Sequence, residues 1–172
     1  ATNGSIIFCN TGTITGATFG LTLSGAGTGS SIASIVGTTT GTVTKQGAGT
    51  WTLSGVNTYT GATTISAGTL SIGGAGSLGS GTYAGTISNA GTFQYGSATA
   101  QTLSGIISGT GALTQSGTGT LTLSGVNTYT GATTISAGTL TIGGSGSLGS
   151  GSYAGNISIA STNSGTLQYS SS

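Results

Sequence analysis

Two side chains in this sequence have the types needed for chemistry at neutral pH. Lys45 is the only charged residue, and Cys9 is the only cysteine. General acid–base catalysis needs a group that titrates near the working pH, and the sequence contains no Asp, Glu or His. A serine nucleophile needs a neighbouring base, for which Lys45 is the only nominal candidate. Metal sites need several carboxylate, imidazole or thiolate ligands, which are also lacking. We therefore predict no enzyme activity and no catalytic, cofactor-binding or metal site.

The sequence allows two interpretations of the role of Cys9. It ends an apolar, strand-like run, Ile6-Ile7-Phe8-Cys9. A cysteine in such a run is usually a small buried hydrophobic residue. An odd cysteine in an exported chain has no internal partner, so the alternative is a candidate intermolecular thiol.

The low charge also limits the partners. Nucleic acids and anionic membranes are bound through several cationic side chains, and a net charge of +1 cannot supply them. No run of 18 apolar residues is present, so we predict no membrane insertion. The sequence begins at Ala1 and contains no Met. We expect a product of signal removal, or a fragment, that is exported from the cell.

The elements that must position any functional residue are predicted to be strands. Residues 50–87 alternate apolar and hydroxyl side chains in short runs, and glycine-containing turns separate the runs. Alternation with a period of two indicates strands with one buried face, and no helical period is found. The sequence therefore predicts an all-β protein.

An internal repeat determines the predicted architecture. Residues 117–155 repeat residues 47–85 at an offset of 70, with 34 of 39 positions identical, and residues 1–46 are divergent. A long repeat without charge on any face favours a β-solenoid, in which turns of chain stack as rungs. We expect residues 1–172 to form one continuous solenoid of eight to nine rungs of about 20 residues, each rising about 4.8 Å. One repeat would span three to four rungs, with like residues lying over like.

The repeated segment Val-Asn-Thr-Tyr-Thr-Gly supplies the other candidate functional residues. We interpret Asn57 and Asn127 as turn residues that could stack into an asparagine ladder. Tyr59 and Tyr129 are interpreted as packing residues in the stack, and an aromatic stripe for carbohydrate is the alternative.

Residues 117–140 contain a Gly-x-Gly-Thr-Leu-x-Leu-x-Gly start, an Asn-Thr-Tyr-x-Gly-x-Thr middle and an Ile-x-x-Gly-Thr-Leu end, and residues 47–70 contain the same pattern with Trp51 in place of a Leu. This pattern resembles the autotransporter passenger-associated β-strand repeat. The resemblance implies a secreted bacterial surface protein with a right-handed, single-stranded parallel β-helix. Many such passengers act as adhesins or surface scaffolds.

The leading functional hypothesis is a filament subunit. The open ends of a β-solenoid expose unpaired backbone groups, and heterologous contacts between such ends make filaments. Residues 21–25 loosely resemble residues 101–105, so residue 1 of one subunit could continue from residue 172 of another. The partner would then be the chain itself, in a head-to-tail homopolymer.

Two alternatives remain open. The chain could be an adhesive passenger fragment that binds surface or matrix polymers. A Thr-x-Thr ladder could instead bind ice, although the spacing of the pairs is uneven. These pairs occur at 13–15, 42–44, 50–52, 58–60, 120–122 and 128–130.

Overall fold

A computed structural model describes residues 4–160 and 164–171; residues 1–3, 161–163 and 172 lie outside this description. The predicted continuation from residue 172 into residue 1 therefore concerns residues that are not described. The chain forms an all-β stack of parallel strands, a β-solenoid of about seven turns. This confirms the predicted fold class.

Each turn of the solenoid crosses three faces, which we call face 1, face 2 and face 3 in the order the chain visits them. Face 1 is an eight-stranded parallel sheet. Its strands are Ile7–Phe8 (β1), Ser30–Ile32 (β4), Thr50–Leu53 (β7), Thr69–Gly74 (β9), Thr92–Ser97 (β12), Ala112–Gln115 (β15), Thr133–Ile135 (β17) and Ile157–Ile159 (β19).

Face 2 begins with a two-stranded sheet and ends with a five-stranded one. Between them lie residues 56–58, where Thr58 N–H donates to the Val36 carbonyl (3.0 Å) and Val56 bridges to Ser77. The strands are Thr13–Ile14 (β2), Ile35–Val36 (β5), Thr82–Tyr83 (β10), Gln101–Leu103 (β13), Thr120–Leu123 (β16), Thr139–Gly144 (β18) and Thr166–Ser171 (β20).

Face 3 is a five-stranded sheet that continues without regular strands. Thr128 N–H donates to the Ile107 carbonyl (2.9 Å), and Val126 bridges to Ser147. The strands are Leu21–Leu23 (β3), Val43–Lys45 (β6), Thr63–Ile65 (β8), Ile87–Asn89 (β11) and Ile107–Ser108 (β14). The short 3₁₀ turns Gly79–Gly81 and Gly149–Gly151 precede β10 and residue 152.

The core follows directly from the alternating pattern. In β7, Trp51 and Leu53 are buried while Thr50 and Thr52 are partly exposed. The same inward pattern repeats on each face, and it produces one column of apolar side chains along the solenoid axis. Because the outward positions hold threonine and serine, the walls carry hydroxyl groups where other proteins carry charges.

The number of rungs is lower than the predicted eight to nine, because several turns are longer than that prediction assumed. A short turn in the middle of the stack places Thr50 opposite Thr69. The longest turn places Thr139 opposite Thr166, with several more residues between the paired positions. Insertions at corners thus use chain length without adding a rung.

The two repeat copies lie on different faces, so the expectation that like residues lie over like is wrong. β7 is on face 1, and its copy β16 is on face 2. β8 is on face 3, and its copy β17 is on face 1. From β7 to β16 the chain crosses ten faces, which amounts to three turns and a third. The repeat does span three to four rungs, but each copy is rotated by a third of a turn.

Candidate functional site

Asn57 is fully buried, and its side chain connects neighbouring turns of the solenoid. Its Oδ1 accepts the Val36 N–H (2.9 Å) from the turn before. Its Nδ2 donates to the Gly55 carbonyl (2.8 Å) in its own turn and to the Ser77 carbonyl (3.0 Å) in the next. A single side chain therefore ties three consecutive turns together.

Asn127 repeats this arrangement in the second copy. Its Oδ1 accepts the Ile107 N–H (2.9 Å), and its Nδ2 donates to the carbonyls of Gly125 (2.8 Å) and Ser147 (3.2 Å). The structure does not bring Asn127 and Asn57 together, because the rotation between copies places them on different faces. Both asparagines bond to backbone groups of neighbouring turns, whereas a ladder would require them to bond to other asparagines.

Tyr59 and Tyr129 are fully buried and pack inside the stack. The Tyr59 ring meets the Tyr83 ring edge-on, with centroids 5.5 Å apart and planes at 66°. Tyr129 meets Tyr153 in the same way, at 5.4 Å and 62°. Because carbohydrate contact needs exposed rings, this geometry favours the packing interpretation for both residues.

A chain of hydroxyl groups connects the first tyrosine pair. Thr63 Oγ1 lies 2.8 Å from both the Tyr59 and the Tyr83 hydroxyl oxygens. The Tyr83 hydroxyl donates to the Gly61 carbonyl, which can only accept, so Thr63 donates to Tyr83 and Tyr59 donates to Thr63. Burial raises the pKa of Tyr59 and of Tyr83.

The same chain of hydroxyl groups is present in the second repeat copy. Thr133 Oγ1 lies 2.7 Å from the Tyr129 hydroxyl and 2.8 Å from that of Tyr153, which donates to the Gly131 carbonyl. Burial likewise raises the pKa of Tyr129.

Lys45 is the position whose role sequence reasoning missed. Its side chain is buried, and its Nζ donates to the carbonyls of Gln46 (2.8 Å), Gly47 (2.6 Å) and Ala67 (3.0 Å). These three bonds use all three donors of the ammonium group. Desolvation lowers the pKa of Lys45. The single charge of the chain therefore serves as an internal clamp at a corner.

The repeat contained a clue to this role, because the counterpart of Lys45 in the second copy is Gln115. Gln115 is also buried, and its Nε2 donates to the carbonyls of Gly117 (3.0 Å) and Gly119 (2.8 Å). Its Oε1 is buried without a hydrogen-bond partner. The shared property of the two residues is a long side chain that ends in a donor, which is what a corner lined by carbonyls requires.

Cys9 is exposed with a free thiol, so the buried interpretation is wrong. It follows β1, which is the first strand of face 1. Its use as an intermolecular thiol stays a prediction.

The Thr-x-Thr pairs do not form one continuous surface. Thr120-x-Thr122 lies beside Thr139-x-Thr141 on face 2. On face 1, Thr50 and Thr52 lie beside Thr69 and Ser71. The pairs at 58–60 and 128–130 flank the buried tyrosines. Because no face carries a pair on every rung of the described stack, the uneven spacing seen in the sequence persists in the fold.

The first turn exposes large apolar side chains. Ile7 and Phe19 are 62% and 73% exposed, and Ile6 and Phe8 are about half exposed. A cleft lined by Phe8, Ile14, Leu21, Leu23, Ile32 and Trp51, among others, opens here into the core. No described residue pairs with the outer edge of β1.

The last turn exposes its core in the same way. Ile157, Ile159 and Tyr169 are 41%, 48% and 67% exposed. A second cleft opens into the core and is lined by Ile142, Leu148, Tyr153, Ile157, Leu167 and Tyr169 among others. The outer edges of β19 and β20 have no partner in the described part of the chain.

Comparison with known proteins identifies the repeated unit. Residues 43–72 and 113–142 match the family model of the passenger-associated-transport-repeat. The two segments are passenger-associated transport repeats. In the structure the two repeats run from β6 to β9 and from β15 to β18. This repeat family is linked to secreted autotransporter passengers.

Neither the curated proteins nor the solved structures include a match to the chain. In the described segments, no helix is both long enough and apolar enough to cross a membrane.

Proposed function

We propose that this chain is a structural protein that acts outside the cell or on a bacterial cell surface, where its solenoid stacks head to tail with further copies into a filament. The passenger-associated transport repeats support an extracellular location, since this family is linked to secreted passengers. The proposal assigns no catalysis, because the sequence provides no pair of side chains suited to acid–base chemistry.

The observation that carries the proposal is the pair of open ends. Within residues 4–160 and 164–171, the first and last turns present strand edges without partners around an exposed apolar core. Natural proteins usually protect such edges with charges, proline or a covering segment. The sequence contains no proline, and its one charged side chain is buried. Stacking two copies would pair the edges and remove apolar surface from water at the same time.

Charge does not oppose this contact. Two surfaces that carry charge of the same sign repel one another, but neither end turn carries a charged side chain. The contact is heterologous, since the first turn of one copy meets the last turn of another, and it does not close into a ring when the solenoid is straight.

Negative-stain microscopy and sedimentation velocity over a concentration series test the proposal. We expect filaments whose length grows with concentration. Phe8→Lys and Ile159→Lys place a charge in the open core of the first and last turn and should leave short rods. Val126→Lys is the matched control, because Val126 is 46% exposed but lies on the side wall. Short monodisperse rods of the unmodified chain at high concentration would overturn the proposal.

A second candidate function is supported by the same repeats. In an adhesin-type passenger, the unpaired edges would be covered by further turns of one longer chain, and the side walls would bind surface or matrix polymers. This candidate predicts a monomer that binds immobilised matrix polymers, with binding lost when wall residues change. Filament formation that Phe8→Lys blocks and Val126→Lys does not would favour the first candidate.

A further inference from the structure

The two ends of the solenoid are steps rather than flat surfaces, and from them we propose that neighbouring subunits join with a rotation of a third of a turn. In this contact β1 of one subunit pairs with residues 152–154 on face 3 of the next. The inference rests on the proposed filament and specifies its geometry.

The step at the last turn follows from the strand count on each face. The chain ends its described path with β19 on face 1 and β20 on face 2. Among the described residues, none forms a strand on face 3 at that level, and the last level of face 3 is the segment from Ser147 to Ala154 in the turn below. Face 3 is therefore lower than the other two faces by one strand.

The step at the first turn has the matching form. The described chain starts with β1 on face 1, continues with β2 on face 2 and closes the turn with β3 on face 3. Because the path climbs as it winds, β1 is the outermost of the described strands at this end. When β1 enters the step on face 3 of a neighbour, β2 then lies over β19 and β3 over β20.

The other two orientations fit less well. Without rotation, β1 would lie over β19, and face 3 would keep a gap one strand deep, about 4.8 Å. If β3 entered the step, as the resemblance of residues 21–25 to residues 101–105 suggests, β1 and β2 would occupy the level already filled by β19 and β20. Only the rotated contact leaves neither a gap nor a collision.

The repeat itself shows how the edge in the step is normally covered. Ser152 and Tyr153 are the copies of Thr82 and Tyr83, which form β10 and pair with Thr102 and Leu103 of β13. The Tyr83 carbonyl there accepts the Ser104 N–H (2.9 Å). No described backbone N–H donates to the Tyr153 carbonyl, which leaves that edge open.

One further observation favours β1 as the strand that covers this edge. The two repeat copies inside the chain are already related by a third of a turn, so the stack accepts this rotation internally.

The contact predicts defined filament symmetry. The described stack contains seven complete turns and two-thirds of an eighth, and a subunit formed by this stack would advance the filament by about 37 Å at about 4.8 Å per turn. Each subunit should also be rotated by a third of a turn relative to its neighbour. The filament would then repeat after three subunits, at about 110 Å on the same spacing. Helical reconstruction by cryo-microscopy should yield these values.

Cys9 provides an independent test because it is exposed and free. If Phe8 pairs with Tyr153 as Leu103 pairs with Tyr83, then Cys9 lies opposite Ala154. Directly opposite residues are close enough for a disulfide. Oxidised filaments of Ala154→Cys should therefore give a ladder of disulfide-linked oligomers. Ala160→Cys is the matched control, since it lies opposite Cys9 only in the unrotated contact, where the register of face 1 places Phe8 over Ile159.

The outcomes separate this inference from the proposed function. Filaments with a third-turn rotation and crosslinks only at position 154 support the inference. Filaments that crosslink at position 160, that crosslink at neither position, or that show another rotation overturn the inference and leave the filament standing. Absence of filaments overturns both the proposed function and the geometry built on it.

Discussion

At the scale of single residues, buried polar side chains join the turns of this solenoid. Lys45, Gln115, Asn57 and Asn127 all sit inside the stack and direct their donors to backbone carbonyls. Buried backbone carbonyls need donors, and the corners cannot obtain them from a neighbouring strand. The core is therefore apolar along the faces and polar at particular corners.

Replacing Lys45 tests this role. Lys45→Met keeps the length and apolar stem of the side chain but leaves the carbonyls of Gln46, Gly47 and Ala67 without their shared donor. We expect the free energy of unfolding to fall by about 2–4 kcal/mol, since each unsatisfied buried group costs about 1–3 kcal/mol and the costs are not additive.

Lys45→Gln is the control for this substitution, because Gln115 performs the same task in the second repeat. It should lose clearly less stability than Lys45→Met in urea unfolding. Equal losses for the two variants would contradict the clamp, since they would show that only the volume of the side chain matters.

At the scale of elements, the corners depend on glycines that leave room for the preceding turn. Gly138 has a φ of +62°, and a side chain there would collide with the carbonyl oxygens of Gly117 and Gly119. Gly68 has the same role in the first repeat, with a φ of +66°. Both positions therefore require glycine for conformation and for space.

A pair of alanine substitutions separates these two requirements. Gly151 has a φ of +92° but open space around it, so Gly151→Ala should cost only the conformational strain, about 1–2 kcal/mol. Gly138→Ala carries a comparable strain and adds the collision, so it should lower the urea midpoint considerably more. Similar midpoints for the two variants would show that the corner can relax.

Much of the element scale was predictable from the sequence. Two-residue alternation in segments such as Thr50–Leu53 predicted short strands with one buried face, and the fixed repeat offset predicted a stack. The rotation between copies was not predictable, because a sequence period does not reveal the length of a turn. That length differs between turns of the same stack and depends on corner insertions.

The candidate site residues were harder to predict than the strands. Asn57 was singled out from its place in a repeated motif, but its partners Val36 and Ser77 lie a full turn away on either side. The structural role of Lys45 was not predictable, because nothing near Lys45 in the sequence indicates that Ala67 supplies a third carbonyl. Contacts between turns become visible only when the turns are aligned.

At the scale of the whole molecule, the lack of ionisable side chains predicts an unusual dependence of stability on pH. Acid denaturation usually follows the protonation of carboxylates and histidines, and the sequence has no Asp, Glu or His. The urea midpoint should therefore stay flat between about pH 4.5 and 7. A transition in this range would contradict the prediction.

Alkaline pH should destabilise the fold. Burial raises the pKa of Tyr59, Tyr83 and Tyr129, so the unfolded chain loses these protons first. The contribution of these tyrosines to the free energy of unfolding is complete below about pH 10, and it declines as the pH rises towards their pKa values in the folded state. Lys45 has a lowered pKa and acts in the opposite direction, because the cost of its buried charge disappears as the pH rises towards 10.5. Because three tyrosines lower the stability at alkaline pH and one lysine raises it, we expect a net fall in the free energy of unfolding above about pH 10, measured by urea unfolding.

The third-turn rotation between the repeats has a consequence for how such a chain can change in length. A duplicated repeat unit need not begin on the same face as its parent copy. A strand that lies on one face in the parent copy can lie on a different face in the duplicate. Copy number can therefore vary one unit at a time, and each unit would lengthen the rod by about 16 Å at about 4.8 Å per turn. Successive copies of the unit would then present the same surface side chains on each of the three faces in turn. A longer chain would therefore distribute that surface evenly around the rod.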